Sequence, residues 1–142
     1  MKHFIKRIDV ILMTDNRFIE HKNCEIFNVY RKIMANVKGL NDYLVEIIVN
    51  KENTCFPDYI NLKIDKNNIY QELIELVNDK RERIYATHGM ADIDIFKSKR
   101  ENKYCIEWSP NEMSYHYFYF DEENFINNFV NAFMPDDEKR QY

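Results

Sequence analysis

The sequence predicts an α+β domain with a mostly antiparallel sheet of about five or six strands, packed by about three helices. Several short segments alternate apolar and polar residues and are rich in β-branched and aromatic side chains, which is typical of half-buried strands. Three longer segments repeat apolar residues every three or four positions, which is typical of amphipathic helices. The connections between the last strand candidates are short and polar, as in hairpins.

The first half of the chain is predicted to hold three strands and one helix. Alternating apolar residues predict an opening strand within residues 4–12. The period then changes, and apolar residues on one face predict a helix from about Cys24 to Val37, closed by Gly39. Two further strands are predicted over Tyr43–Val49 and Tyr59–Ile64.

The second half is predicted to hold two helices around three consecutive strands. Asn68 is placed to cap a helix that runs to about Tyr85, with Gln71 completing a capping box. Strands then follow around Ile93 and Ile95, around Tyr104, Ile106 and Trp108, and over Ser114–Phe120. Asp121 is placed to cap the last helix, which ends at Pro135.

Length and composition predict one globular domain over residues 1–135, followed by a flexible tail at 136–142. The chain has 142 residues, of which 45% are hydrophobic and 31% charged, and this balance argues against disorder. It has only two glycines, so the glycine-rich loops that bind nucleotides are excluded. A net charge of −4 makes nucleic acid a poor candidate partner, because that affinity comes mostly from phosphate neutralisation.

Cysteine and apolar patterns predict a cytoplasmic protein without a cofactor or metal. Cys24, Cys55 and Cys105 are odd in number and widely spaced, as reduced thiols are. No apolar stretch approaches the length of a membrane span, and no signal core is evident. The histidines lack zinc-site spacing, and the pair Asp92 and Asp94 is more typical of a surface than of a metal site.

Residues 104–135 are the most distinctive part of the sequence. They contain five carboxylates and ten of the 21 aromatic residues of the chain, with no lysine or arginine. At their centre, residues 114–120 read Ser-Tyr-His-Tyr-Phe-Tyr-Phe. Aromatic residues supply rigid contact area, and unopposed carboxylates favour a positively charged partner. We therefore expect a protein partner, and neither nucleic acid nor membrane.

The aromatic run predicts two different faces, because successive side chains of a strand point in opposite directions. Its phenylalanines and His116 share one face, which we expect to be core. Its tyrosines share the other, called here the tyrosine face (Tyr115, Tyr117 and Tyr119), which we expect to be the wetter one. If the last three strands form a meander, carboxylates of its neighbours join this face. The candidate partner-binding residues are Asp92, Asp94, Glu107, Tyr115, Tyr117 and Tyr119.

Two alternatives stay open from the residues alone. A helix could cover the tyrosine face and make the whole run two-sided core. His88 and His116 could also form a general acid–base pair of a metal-independent hydrolase, although the aromatic stretch offers no cation to hold a phosphate.

Taken whole, the chain resembles the bacterial immunity proteins that neutralise polymorphic toxins and contact-dependent growth-inhibition toxins. The likeness lies in its small acidic character, its richness in Asn, Ile, Lys and Tyr, and its acid-capped C-terminal segment Asp121–Val130. It implies an antitoxin-like protein that covers the active site of a cognate toxin, such as a basic nuclease. Other classes that remain are a phage or mobile-element accessory inhibitor or adaptor, and a module that self-associates through the tyrosine face.

Overall fold

The computed structural model describes residues 17–33, 41–49, 58–64, 66, 68–86, 91–111 and 114–135. Its strands are β1 (Phe18–His21), β2 (Glu25–Ile33), β3 (Asn41–Ile48), β4 (Tyr59–Ile64), β5 (Arg83–Tyr85), β6 (Asp92–Ser98), β7 (Lys103–Asn111) and β8 (Ser114–Phe120). One regular helix, α1 (Ile69–Val77), lies between β4 and β5. The C-terminal helical segment follows β8 and consists of an α-helical turn (Glu122–Asn124), a π-helical turn (Phe125–Val130) and a 3-10 turn (Asn131–Phe133).

The described strands form two sheets. The larger sheet has the order β1-β8-β7-β6-β5, and the smaller one has the order β2-β3-β4. Among the described pairings only β1 with β8 is parallel. The predicted α+β class and the meander of the last three strands are therefore confirmed. The eight strands of the described residues exceed the five or six predicted, and they divide between two sheets.

The main core lies between the two sheets, α1 and the C-terminal helical segment. Ile47 of the small sheet, Ile106 of the large sheet and Leu73 of α1 are fully buried in the same cluster. Phe125 and Phe129 of the C-terminal helical segment also belong to this cluster. Phe125 stacks on Tyr104 with ring centroids 4.4 Å apart. The predicted inward face of the aromatic run, with Phe118 and Phe120, is part of this core.

The prediction of a helix from about Cys24 to Val37 is wrong where the structure describes these residues, because Glu25–Ile33 form strand β2. The reason is a bulge against β3 between Ile26 and Asn28. It adds one residue to the alternation, so the inward residues Ile26 and Val29 lie three positions apart instead of two. Apolar residues three positions apart also lie on one face of a helix, so this spacing does not distinguish a bulged strand from a helix.

The helix predicted to run to about Tyr85 ends earlier, at Val77. Asp79 adopts φ 59°, the left-handed conformation that commonly terminates helices, and the N–H of Lys80 bonds the carbonyl of Glu75 at 2.8 Å. Ile84, which the predicted helix would have included, is buried in β5 instead. The predicted capping box is absent as well, because Asn68 has φ 63° and its side chain makes no capping bond.

The other predicted elements agree with the structure where it describes them. Strand β4 has the predicted bounds, β3 differs from its prediction by one or two residues at each end, and the loop at 99–102 joins β6 to β7. The C-terminal helix is present, although Asp121 makes no side-chain capping bond and the segment is not one regular α-helix. The predicted strand within 4–12 and the tail at 136–142 lie outside the described residues. None of the described helices is long and apolar enough to cross a membrane.

Side-chain amides attach the C-terminal helical segment to the edge of the small sheet. Asn124 Oδ1 accepts the N–H of Ile26 at 2.8 Å, and Asn124 Nδ2 donates to the Ile26 carbonyl at 3.3 Å. Asn128 Nδ2 donates to the same carbonyl at 3.2 Å. A single amide therefore satisfies both backbone groups of a fully buried residue, as a neighbouring strand would.

Replacing Asn124 by alanine should lower the free energy of unfolding by about 1–3 kcal/mol, because the N–H of Ile26 would lose its acceptor in a buried site. Urea denaturation measures this loss. Asn127→Ala is the matched control, since Asn127 is exposed one turn away and has no bond to β2 among the described contacts. Equal losses in the two variants would contradict the assigned role of Asn124.

Candidate partner-binding surface

The structure brings the predicted binding residues of the large sheet together. Asp94 on β6 lies opposite Glu107 on β7, and Glu107 lies opposite Tyr117 on β8. Tyr115 and Tyr119 flank Tyr117 on the same strand. The adjacency expected from the meander is therefore present.

The expectation that the tyrosine face is the wetter one is wrong. Tyr117 and Tyr119 are only 2% and 1% exposed, and Asp94 is buried as well. Glu107 and Tyr115 are half-buried, and of the six predicted residues only Asp92 is exposed. Both faces of the sheet carry buried residues, although no described helix contributes to the cluster on the tyrosine face, so most of these side chains are not available as a surface.

This second buried face forms a smaller cluster of its own. Phe18 of β1 stacks on Tyr115 at 4.9 Å and lies 6.3 Å from the ring of Tyr117. Phe96 and Cys105 belong to the same cluster. The tyrosines therefore serve here as large apolar side chains with a polar end.

The carboxylates of Asp94 and Glu107 on this face lie beside an arginine of the same chain. Arg83 Nη1 lies 3.5 Å from Asp94, Arg83 Nη2 lies 3.8 Å from Glu107, and the guanidinium lies 4.9 Å from the ring centre of Phe96. Burial raises the pKa of Asp94, Arg83 opposes that rise, and Asp92 adds to it. Two of the carboxylates predicted to attract a basic partner thus belong to an internal ion network.

The hydroxyl of Tyr119 is also used internally. Arg100 donates to this hydroxyl at 3.1 Å and also to the carboxylate of Glu20, and the hydroxyl lies 3.4 Å from that carboxylate. Burial is the main cause that raises the pKa of Tyr119 above its ordinary value, and the nearby Cys105 and Glu20 raise it further. Its polar end therefore stays neutral and hydrogen-bonded.

His88, one of the two histidines predicted to form a hydrolase pair, lies outside the described residues. His116 instead contacts His21, with the two ring nitrogens 3.1 Å apart. Among the described residues there is no group of three or more His, Cys, Asp or Glu side chains placed to hold a metal ion.

The exposed aromatic surface lies on the small sheet, which the sequence did not single out. Its outer side carries what we call the aromatic face: Phe27, Tyr30, Leu44 and Tyr59. Phe27 is 53% exposed and Tyr59 is 49% exposed, and their rings meet edge to face at 5.8 Å. Exposed apolar groups that contact one another are typical of binding sites.

The strand register explains which side chains share this face, where the aromatic residues alternate with polar ones such as Glu46 and Lys63. Inward residues of β3 and β4, such as Val45 and Leu62, are buried, so the residues between them point outward. Tyr30 lies opposite Leu44 in one such outward pair. The bulge in β2 adds Phe27, which is exposed beside Asn28 instead of alternating with it.

An acidic turn lies near the start of β2. Ile26 immediately precedes Phe27 and is bonded to Asn124, which follows the acidic turn (Asp121, Glu122 and Glu123). All three carboxylates are exposed, and Lys103 lies 3.6 Å from Asp121. Beside them is an open depression of about 280 Å³, lined by Asp121, Glu123, Asn124, Asn127 and Asn128. The acidic turn thus lies near the start of β2, the strand that carries Phe27.

Truncating Tyr117 to alanine should lower the free energy of unfolding by about 3–5 kcal/mol, the usual cost of emptying a buried aromatic site. Chemical denaturation tests this. Tyr115→Ala is the control on the same strand face, and we expect a smaller loss because Tyr115 is only half-buried. An unchanged stability of the Tyr117 variant would contradict the burial of the tyrosine face.

Comparisons with known proteins assign no family to this chain. No protein-family model matches it, and no curated protein and no solved structure matches it either.

Proposed function

We propose that this chain is an immunity-type protein that binds a basic toxin domain, such as a nuclease, and neutralises it by covering its active site. The observation that carries the proposal is the aromatic face, on which four large apolar side chains are exposed. This moves the proposed contact from the tyrosine face of the large sheet to the outer side of the small one.

The composition of the aromatic face favours a protein partner. Tyrosine and phenylalanine supply rigid contact area, and such residues dominate the binding energy of many protein interfaces. Phe27 and Tyr59 already contact each other at the surface, so little side-chain freedom would be lost when a partner packs on them.

The charge beside the aromatic face favours a basic partner. Three consecutive exposed carboxylates lie next to β2, and Lys103 approaches only the first of them among the described contacts. Carboxylates placed in this way raise the association rate with a cationic surface and fix its orientation. A nuclease that binds phosphates presents such a surface, and the acidic turn would occupy the place of its substrate.

The proposed setting is the cytoplasm. Cys24 and Cys105 are both buried free thiols, which suits a reducing compartment. The self-association alternative no longer involves the tyrosine face, because Tyr117 and Tyr119 are buried within one chain.

The direct test is growth of cells that express the toxin encoded beside this chain, with and without the chain. We expect the chain to restore growth and to form a one-to-one complex with the toxin domain. Absence of rescue, together with absence of a complex in purified mixtures, would contradict the proposal. A homodimer formed through the aromatic face and excluding the toxin would contradict it as well.

Substituting both Phe27 and Tyr59 by alanine should weaken binding of that toxin domain by about thirtyfold or more, the loss typical of truncated hot-spot residues. Stability should change by no more than about 0.5 kcal/mol per exposed site. Calorimetric titration and urea denaturation measure the two effects separately. Tyr85→Ala is the matched control, because Tyr85 is 63% exposed but lies on the large sheet. A comparable loss of affinity in this control would assign the binding surface elsewhere.

Neutralising Glu122 and Glu123 as Glu122→Gln/Glu123→Gln should slow association with the toxin domain at low ionic strength and have less effect at high salt, because salt screens exposed charges. Stopped-flow association kinetics measure this. The control carries the same charge change on the large-sheet side, as Glu82→Gln/Asp92→Asn, both exposed residues. If both pairs slow association equally, net charge and not the acidic turn is responsible.

A further inference from the structure

Two histidines from distant parts of the sequence meet at the edge of the large sheet. His21 ends β1, and His116 lies on the neighbouring β8. Nε2 of His21 lies 3.1 Å from Nδ1 of His116. Their ring centroids are 5.4 Å apart and their planes differ by 11°, so the rings lie nearly end to end, with these two nitrogens facing each other.

This geometry fits a shared proton and not a metal ion. A zinc ion would need about 2.0–2.1 Å to each nitrogen, with both lone pairs converging on a third point. Rings that face each other end to end at 3.1 Å leave room only for an N–H···N hydrogen bond. One imidazole must therefore donate and the other accept, and either tautomeric assignment satisfies the pair.

The surroundings of the pair are mostly aromatic. His21 stacks on Phe118 at 4.8 Å, and Trp108 lies 5.4 Å from the ring centre of His116. Cys24 Sγ bonds the backbone carbonyl of His21 at 3.2 Å. Burial, followed by the charge of His116, lowers the pKa of His21, and burial lowers the pKa of His116.

The charged groups near β1 form ion pairs and hydrogen bonds with one another. Glu20 points to the opposite face of β1 from His21 and bonds Arg100 and Tyr119. The charged groups of the adjoining segments are paired as Lys22 with Glu20 and Glu101, and Lys103 with Asp121. No described carboxylate is bonded to either imidazole, so none compensates a charge added to the pair.

We propose that the His21–His116 pair is a pH-sensitive latch, which holds β1 on the sheet at neutral pH and releases it on acidification. A first added proton leaves the bond intact, because a charged ring can still donate to a neutral one. A second proton places N–H groups and positive charges face to face. β1 has only four residues and borders the sheet through one described parallel pairing, so the histidine contact adds to those that Phe18 and Glu20 make on the other face of the strand.

The direction of the pH dependence follows from proton binding. Rings whose pKa is lowered in the docked strand bind fewer protons there than in the released strand. The latch is therefore fully effective above the ordinary histidine pKa of 6.5 and weakens as the pH falls below that value. Release becomes about tenfold more favourable for each unit by which docking lowers a pKa.

Hydrogen exchange of the full chain, followed by NMR at about pH 8 and about pH 5, the limits of histidine titration, tests the latch. We expect the protection factors of amides 18–21 to fall about tenfold or more at the lower pH, while amides of β6 and β7 keep theirs. Equal protection of β1 at both values would overturn the proposal.

The matched variant is His116→Gln, whose amide oxygen can accept from His21 in either charge state. We expect β1 to lose most of its pH dependence in this variant. Nitrogen shifts of the two rings in the unmodified chain give a second measurement that does not depend on the variant. Independent titration of both rings near 6.5, or an unchanged pH dependence in His116→Gln, would overturn the latch.

Discussion

Burial of β8 on both faces is the constraint on which the rest of the structure depends. A strand that buries Tyr117, Tyr119 and both of its phenylalanines must provide partners for the polar groups it carries. Tyr119 therefore uses Arg100 and Glu20, and the neighbouring Glu107 uses Arg83. These charged groups are therefore paired within the chain and do not face a partner. The large sheet becomes a scaffold, and the exposed aromatic surface lies on the small sheet.

The two sheets are held together at the start of β2. The N–H of Cys24 bonds the carbonyl of Tyr119 at 3.2 Å, which ties β2 to the end of β8. Two residues later, Asn124 satisfies both backbone groups of Ile26. The same junction determines the position of the acidic turn, because Asp121 directly follows β8 and Asn124 contacts β2. A structural requirement, the pairing of a buried strand edge, thus places carboxylates near the start of β2.

The alternation of apolar and polar residues predicted most of the strands, but it could not predict which faces of the sheets are buried. Tyr59–Ile64 alternates without interruption and was identified with its bounds, whereas the bulge at Phe27 imitates a helical spacing. The alternation of the aromatic run correctly placed Tyr117 and Phe118 on opposite sides. Tyrosine is compatible with both core and surface, so its pattern alone does not decide burial. His21 was not predicted beside His116, because the parallel pairing that joins them spans 95 residues.

The proposed latch and the proposed binding surface are separated by the same junction that organises the fold. His21 and Phe27 are only six residues apart, so release of β1 could be expected to disturb the aromatic face. The backbone bond from Cys24 to Tyr119 and the amide bonds of Asn124 to Ile26 lie between them, and none of these groups titrates near neutral pH. Burial raises the pKa of the Cys24 thiol to about 12, so it too stays neutral over that range. If the proposed latch opens, these bonds would hold the chain from Cys24 onward, and the surface that begins at Phe27 would keep its position.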